Sequence, residues 1–150
     1  MTRPRSDRSG RARSLSRRLA LQALYQWQMT GQEPGLIAAQ FLADEDLGKA
    51  DPDYFHELLH QVPVRAAEID AALEPFLDRP PAQVDPVERA ILRIGGYELM
   101  QHPDLAYRIV INEAVELAKM FGAEQGHRFV NGVLDKLARA TRPFEFVAPS

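Results

Sequence analysis

Two groups of residues have the types and spacing for chemistry. The first is His56-Glu57-Leu58-Leu59-His60, an H-E-x-x-H string. On a helix, histidines four apart share a face and can hold a zinc ion while the Glu serves as general base. A third protein ligand is needed, and only Glu74 or Asp78 lies at a suitable distance downstream. Pro63 bends the chain just after the second histidine. With Phe55 and Val62 marking the core direction, both histidines fall on the helix flank, as two solvated side chains would. Five letters recur by chance, so a zinc-dependent hydrolase is the weaker reading. The chain has no cysteine, hence no thiol nucleophile, no Cys-ligated zinc and no disulfide. It also lacks G-x-G-x-x-G, G-x-x-x-x-G-K-[ST] and G-x-S-x-G. Carboxylate pairs such as Glu113/Glu116 have the spacing of a solvated helix face. We therefore expect no enzyme, no resident metal and no cofactor.

The second group is basic. Residues 1–18 hold seven Arg against one Asp, a net charge of +6, and the remaining 11 basic and 20 acidic groups give −9. Such a split localises polyanion contact at one end. Arginine outnumbers lysine 15 to 3, and planar guanidinium groups bind phosphate bidentately and stack on bases. Arg-rich segments that fold on binding are a recurrent RNA-binding device. Arg11 and Arg18 are the candidate phosphate ligands that charge alone singles out. Tyr25 and Phe129 are candidate stacking surfaces.

These residues need elements to hold them. The spacing predicts a disordered arm over 1–14, then a helix capped by Ser14 or Ser16 and running to about Met29, with Ala20, Ala23, Leu24 and Trp27 inward. Arg17 and Arg18 would then occupy its first turn, against the helix dipole. A turn spans Gly31 to Gly35. A short helix follows from Leu36, anchored by Ile37, Phe41 and Leu42, and then an acidic loop over 44–53. Asp51 and Pro52 open a long helix whose apolar phase, from Phe55 to Phe76, passes straight through Pro63. We read it as one kinked helix. Asp85-Pro86-Val87-Glu88 starts another, running to about Gln101 with Val87, Ile91, Ile94 and Tyr97 inward. Gly95-Gly96 inside it marks either close helix packing or a soft spot. Two further helices fill Ile109–Arg139, turning at Phe121-Gly122-Ala123-Glu124, with Gly122 as a left-handed C-cap. Ile111, Val115, Ala118 and Phe121 form the inner stripe of the first, and Val130, Val133, Leu134 and Leu137 that of the second. Asn131-Gly132 lies mid-helix where close approach of a neighbouring helix or of RNA is wanted. No segment alternates with period two, so no sheet is expected. No apolar run nears the roughly 20 residues of a membrane span, and the Arg-rich start lacks the apolar stretch of a secretory signal. We expect a cytoplasmic protein with no membrane contact.

Three stretches carry a family resemblance: ALQALYQWQ (20–28), VERAILRIGGYEL (87–99) and INEAVELAKMFGAEQGHRFVNGVLDKLAR (111–139). In that order, and over about residues 13–142, the chain resembles the bacterial transcription antitermination factors of the NusB family. The resemblance implies an all-α fold, a compact helical bundle of six to seven helices in two three-helix subdomains. These would span about 15–78 and 85–140 of a single domain over 15–142, followed by a flexible tail over 143–150. It implies a non-enzymatic role: binding the boxA element of nascent rRNA transcripts together with NusE, a small-subunit ribosomal protein, and helping assemble an antitermination complex on RNA polymerase. NusB-like domains also occur as RNA-binding modules of rRNA cytosine methyltransferases. Some family members are homodimers, so both monomer and homodimer stay open, as does a self-association scaffold without an RNA role.

By motif position, Arg13 and Arg17 match arginines of the family's RNA-binding segment. Tyr25 matches a tyrosine near both the RNA and the NusE surfaces. Glu88 and Arg93 match the NusE-facing helix, and Phe129 an aromatic near the RNA. Arg11 and Arg18 are added from charge alone. The chain departs from the family pattern at Gly95-Gly96, where bulkier residues are expected, at Gln125-Gly126, where a more polar or acidic helix start is expected, and in its longer arm.

Overall fold

The computed structural model describes the backbone of residues 5–147, and side chains from Gly10 onward except that of Glu45. Arg3, and the side chains of Arg5 and Arg8, lie outside it. The described residues contain eight α-helices and no strand. They divide into two compact units, one ending at Val64 and one starting at Arg65. Among the described residues, no helix is long and apolar enough to cross a membrane.

The first unit holds α1 (Arg5–Thr30), α2 (Pro34–Phe41), α3 (Glu45–Lys49) and α4 (Pro52–Val64). Its core is Leu19, Ala20, Leu21, Ala23 and Leu24 of α1, Ile37 of α2, and Phe55, Leu58, Leu59 and Val62 of α4. The aliphatic spacing on α1 and α4 explains why these two helices pack lengthwise. Three expectations change. First, the helix begins at Arg5, so residues 5–14 of the expected arm are helical. Ser14 and Ser16 are not caps: they lie inside α1, and their hydroxyls reach back to the Gly10 and Ala12 carbonyls, each at 3.0 Å. Arg17 and Arg18 therefore sit well beyond the first turn, and no dipole penalty applies. Second, the acidic loop contains α3, whose first turn is closed by the Asp44 carboxylate accepting from the Asp46 N–H at 2.8 Å. Third, Leu42 is no anchor; it is 69% exposed and follows the end of α2. Gly31 leaves α1 with φ +70°, a left-handed turn.

The expected kinked helix is two helices. Pro63 lacks the N–H that would continue the ladder, and Arg65 at φ −101°, ψ 10° breaks the run. The second unit thus starts with α5 (Ala66–Leu73), followed by 3-10 turns at Glu74–Phe76 and Pro81–Gln83, then α6 (Pro86–Gln101), α7 (Tyr107–Phe121), α8 (Gly126–Thr141) and a 3-10 turn at Pro143–Phe146. The boundary between the two compact units falls between Val64 and Arg65. The cause is in α6. A Cβ on Gly96 would lie 3.0 Å from Ile69 Cγ2 and 3.8 Å from Leu73 Cδ1, and one on Gly95 would lie 2.6 Å from Leu134 Cδ1. The two glycines open slots for α5 and α8. Close packing, rather than a soft spot, accounts for their cost of about 1 kcal/mol each.

In α7 the inner stripe is Val110, Ile111, Ala114, Leu117 and Ala118, while Val115 is half-buried and Phe121 exposed. Gly122 is extended (φ −84°, ψ 174°) rather than left-handed. It is small because a Cβ there would lie 2.7 Å from the Ala118 carbonyl oxygen. The left-handed residue of this turn is Gln125, at φ 71°. Of the tail expected over 143–150, residues 143–147 are described, and Pro143–Phe146 forms a 3-10 turn beside α8, next to Arg142. Arg142 is 5% exposed and donates to the carbonyls of Glu98 (3.1 Å), Leu99 (3.1 Å), His102 (2.6 Å) and Leu105. Glu145 accepts from the Tyr107 N–H at 3.0 Å and so caps α7, which lacks a capping side chain of its own.

Candidate nucleic-acid and partner interface

In the first unit, the arginines of α1 separate into two kinds. Arg11 is exposed and Arg18 half-buried. Arg13 and Arg17 turn onto one ring, that of the buried Tyr54, with guanidinium carbons 4.8 and 5.4 Å from its centroid. Arg17 is 2% exposed. Arg13 also lies 4.0 Å from the Asp51 carboxylate, and its Nε is buried without a hydrogen-bond partner. Asp51 anchors this part of the unit. Its carboxylate caps α4 by accepting from the Tyr54 N–H (3.2 Å). Its N–H donates to the Ser16 hydroxyl (2.9 Å), which donates to the Asp51 carbonyl (2.7 Å). The two cations therefore lock the middle of α1 to the start of α4, and cation–π contacts of this kind gain strength when desolvated. Tyr25, further along α1, is 40% exposed.

His56 and His60 are half-buried on α4, more enclosed than the two solvated side chains expected. Their rings stack with centroids 5.9 Å apart, and His56 meets Phe55 edge-on at 5.3 Å. Among the described residues, no group of three His, Cys, Asp or Glu side chains is arranged to hold a metal.

The second unit brings Glu88 and Phe129 together. They line one groove of about 370 Å³ with Asp78, Arg79, Asp85 and Glu124. Asp85 caps α6 through the N–H groups of Val87 (3.1 Å) and Glu88 (3.2 Å), which places Glu88 beside the start of α8. A Cβ on Gly126 would lie 2.8 Å from Glu88 Oε1, so a glycine is needed there for the carboxylate to fit. Burial first, and then the neighbouring Asp85, push the Glu88 carboxyl above its ordinary 4.5. Arg79 chelates Asp78 through Nε (2.7 Å) and Nη2 (2.8 Å) and covers Phe129 at 5.5 Å. Phe129 also lines a second groove of about 210 Å³, together with Arg128, Gly132 and Lys136. One ring thus divides an acidic groove from one lined by two cations. Arg93 is committed within the unit: it grips Asp70 of α5 through Nε (2.9 Å) and Nη2 (2.7 Å).

Residues 14–139 match the model of the NusB family. The chain belongs to the NusB family. It is 56% identical over 134 residues to the transcription antitermination protein NusB of Nitrosococcus oceani, covering 89% of this chain and 90% of that one. It is 53% identical over 131 residues to NusB of Alcanivorax borkumensis, covering 87% of each. Among solved structures, T. maritima NusB superposes with a TM-score of 0.77 at 24% identity, over 97% of this chain and 99% of that one. A crystal structure of the antitermination factors NusB and NusE in complex with double-stranded RNA superposes with a TM-score of 0.76 at 27% identity, over 87% and 98%.

Within this NusB-family chain, Arg11, Arg18 and Tyr25 present surface, Arg13 is half committed, and Arg17 and Arg93 are engaged inside their units. Arg79, Arg128 and Lys136 did not stand out in the sequence. The last two carried a signal, since Arg128, Gly132 and Lys136 recur every fourth residue and so share a helix face. Arg79 carried none, because its place over Phe129 depends on the irregular 74–85 segment.

Proposed function

We propose that this chain is an RNA-binding antitermination adaptor, acting in the cytoplasm, that binds boxA of nascent rRNA transcripts together with NusE and helps assemble an antitermination complex on RNA polymerase. The observation that carries the reading is the likeness, over 87% of the chain, to the NusB of a NusB–NusE–RNA complex. The +6 charge of residues 1–18 on an otherwise acidic chain supports it.

Arg11, Arg13 and Arg18 contact phosphates. Arg17 acts from beneath, holding Tyr54 and the line of α1. Tyr25 and Phe129 offer stacking faces, and Tyr25 also meets NusE. Glu88 contributes a carboxylate to the NusE surface, while Arg93 positions α6 through Asp70. The test is a titration of boxA RNA against the chain, with and without NusE. Synergy is expected. Replacing Arg11 and Arg18 by Ala leaves the Arg13–Tyr54–Arg17 stack intact and should lower the salt slope of single-strand binding by about 1.4. An unchanged slope and affinity at physiological salt would remove the arm from the RNA site.

A further inference from the structure

The two histidines of α4 are left unused by the RNA-binding reading. Their spacing of four residues sets them one helical turn apart, about 6 Å along the axis. Both are half-buried, and their rings face each other with centroids 5.9 Å apart and planes 17° from parallel. Phe55 closes one side, meeting His56 edge-on at 5.3 Å. Neither imidazole makes a hydrogen bond or ion pair with another described residue. Among the described residues, the buried side-chain nitrogens without partners are Arg13 Nε and Arg89 Nε, so the imidazole nitrogens reach solvent. A histidine that serves only packing has its buried ring nitrogens hydrogen-bonded. These two have all four nitrogens open.

Their separation suits a shared metal ion. With a zinc–nitrogen bond of about 2.0–2.1 Å, a coordinated imidazole has its ring centre about 3.2 Å from the ion, so two rings on one ion have centres about 5.2 Å apart at the tetrahedral angle and at most about 6.4 Å. The observed 5.9 Å falls inside that limit. Rotation about χ2, a soft torsion in histidine, exchanges the stack for coordination. The surrounding charge is favourable: from Glu33 to Val62 the chain holds seven carboxylates against Lys49 alone, a net −6. A field of that sign concentrates cations. Imidazole is a ligand for zinc, nickel and copper, whereas magnesium and calcium take oxygen.

We propose that His56 and His60 form an exchangeable site for a divalent cation of the zinc, nickel and copper class. The helix holds the second imidazole within reach of an ion on the first, so the pair binds far more tightly than either ring alone. Water takes the remaining coordination positions. Structural zinc has four protein ligands and catalytic zinc three. Two ligands make a site that fills and empties with the concentration of the cation, so no third protein ligand and no hydrolytic role for Glu57 are required. The inference is independent of the RNA-binding reading.

The test is calorimetric titration of the untagged chain with zinc chloride and, separately, with magnesium chloride. Saturable binding of zinc but not of magnesium is expected. His56→Ala and His60→Ala should each weaken zinc binding about a hundredfold, the gain that linking two ligands provides. His127→Ala removes a histidine of α8 and should leave zinc binding unchanged. His60→Ala combined with Gln61→His keeps the number of histidines but breaks the one-turn spacing, and should bind zinc as weakly as His60→Ala. Thermal melting of the wild type needs no variant. Zinc at a hundredfold excess over its dissociation constant should raise the melting temperature by roughly 5–10 °C, and magnesium should not. Full zinc affinity in either single variant or in the shifted one would overturn the site. So would magnesium bound as tightly as zinc, or a wild-type melting temperature that zinc leaves unmoved.

Discussion

Arg142 offers the sharpest test of how the second unit is held. It is the cation at the C-terminal end of α6, where helical N–H donors run out: the Glu98 carbonyl still accepts from the His102 N–H at 2.9 Å, but the residue four beyond Leu99 is Pro103, which has no N–H. Its guanidinium supplies N–H donors to the carbonyls of Glu98 and Leu99, in fully buried bonds of 3.1 Å. It also donates to His102 and Leu105 and pairs with Glu145 at 3.0 Å. Arg142→Met keeps much of the stem and removes every donor. A charge-assisted hydrogen bond contributes about 1.5 kcal/mol at the low end of its range, so the two buried ones alone give about 3 kcal/mol. Truncation also leaves the buried Leu99 carbonyl without a donor and frees Glu145 from its cation, which raises the expected loss to roughly 3–5 kcal/mol. At about 3 °C per kcal/mol for a chain of this size, the melting temperature should fall by roughly 9–15 °C. Arg142→Lys should recover little of it, because an ammonium cannot span several carbonyls at once. The assay is thermal and urea unfolding followed by far-UV circular dichroism. A loss below about 1 kcal/mol for Arg142→Met would refute the argument, since it would mean that water or chain relaxation satisfies those carbonyls at no cost.

Two further outcomes follow from the same unit. Gln125 adopts φ 71°, which costs an L-residue about 1 kcal/mol. Gln125→Gly should therefore stabilise by roughly 0.5 kcal/mol after the extra unfolded-state entropy, a shift measurable by urea unfolding. Glu145 is held below its ordinary 4.5, first by the Tyr107 N–H and then by Arg142. A depressed carboxyl pKa contributes stability that is present above 4.5 and lost as pH falls through the folded value. The stability difference between wild type and Glu145→Gln should accordingly be full at neutral pH and shrink in acid. A gap independent of pH would mean that Glu145 acts by shape alone.

Six helical segments, the family and the charge split are legible in the amino acids alone, whereas α3 and the break between α4 and α5 are not. Helical periodicity is local, so most inward residues of α1, α4, α6 and α8 could be placed without knowing their neighbours, although Trp27 and Val87, also expected inward, are only half-buried. The Asp-Pro starts at Asp51 and Asp85 are equally local, since cap and capped N–H are two or three residues apart. Only tertiary structure decided the rest, because the rest depends on what lies across the chain. Pro63 announced a disturbance, but the division at Arg65 reflects α5 fitting the glycine slot of α6. The arginines of α1 read alike in sequence. Tyr54 and Asp51, more than thirty residues on, make Arg17 a buried brace and leave Arg11 to solvent. The opening between Arg128 and Lys136 could not be read from Asn131-Gly132, where the letters allowed either a neighbouring helix or RNA to approach. No neighbouring atom comes within 4 Å of a Cβ at Gly132, so the space the glycine leaves faces outward. Patterns along one helix specify the element; distances between helices decide which of its side chains stay free to act.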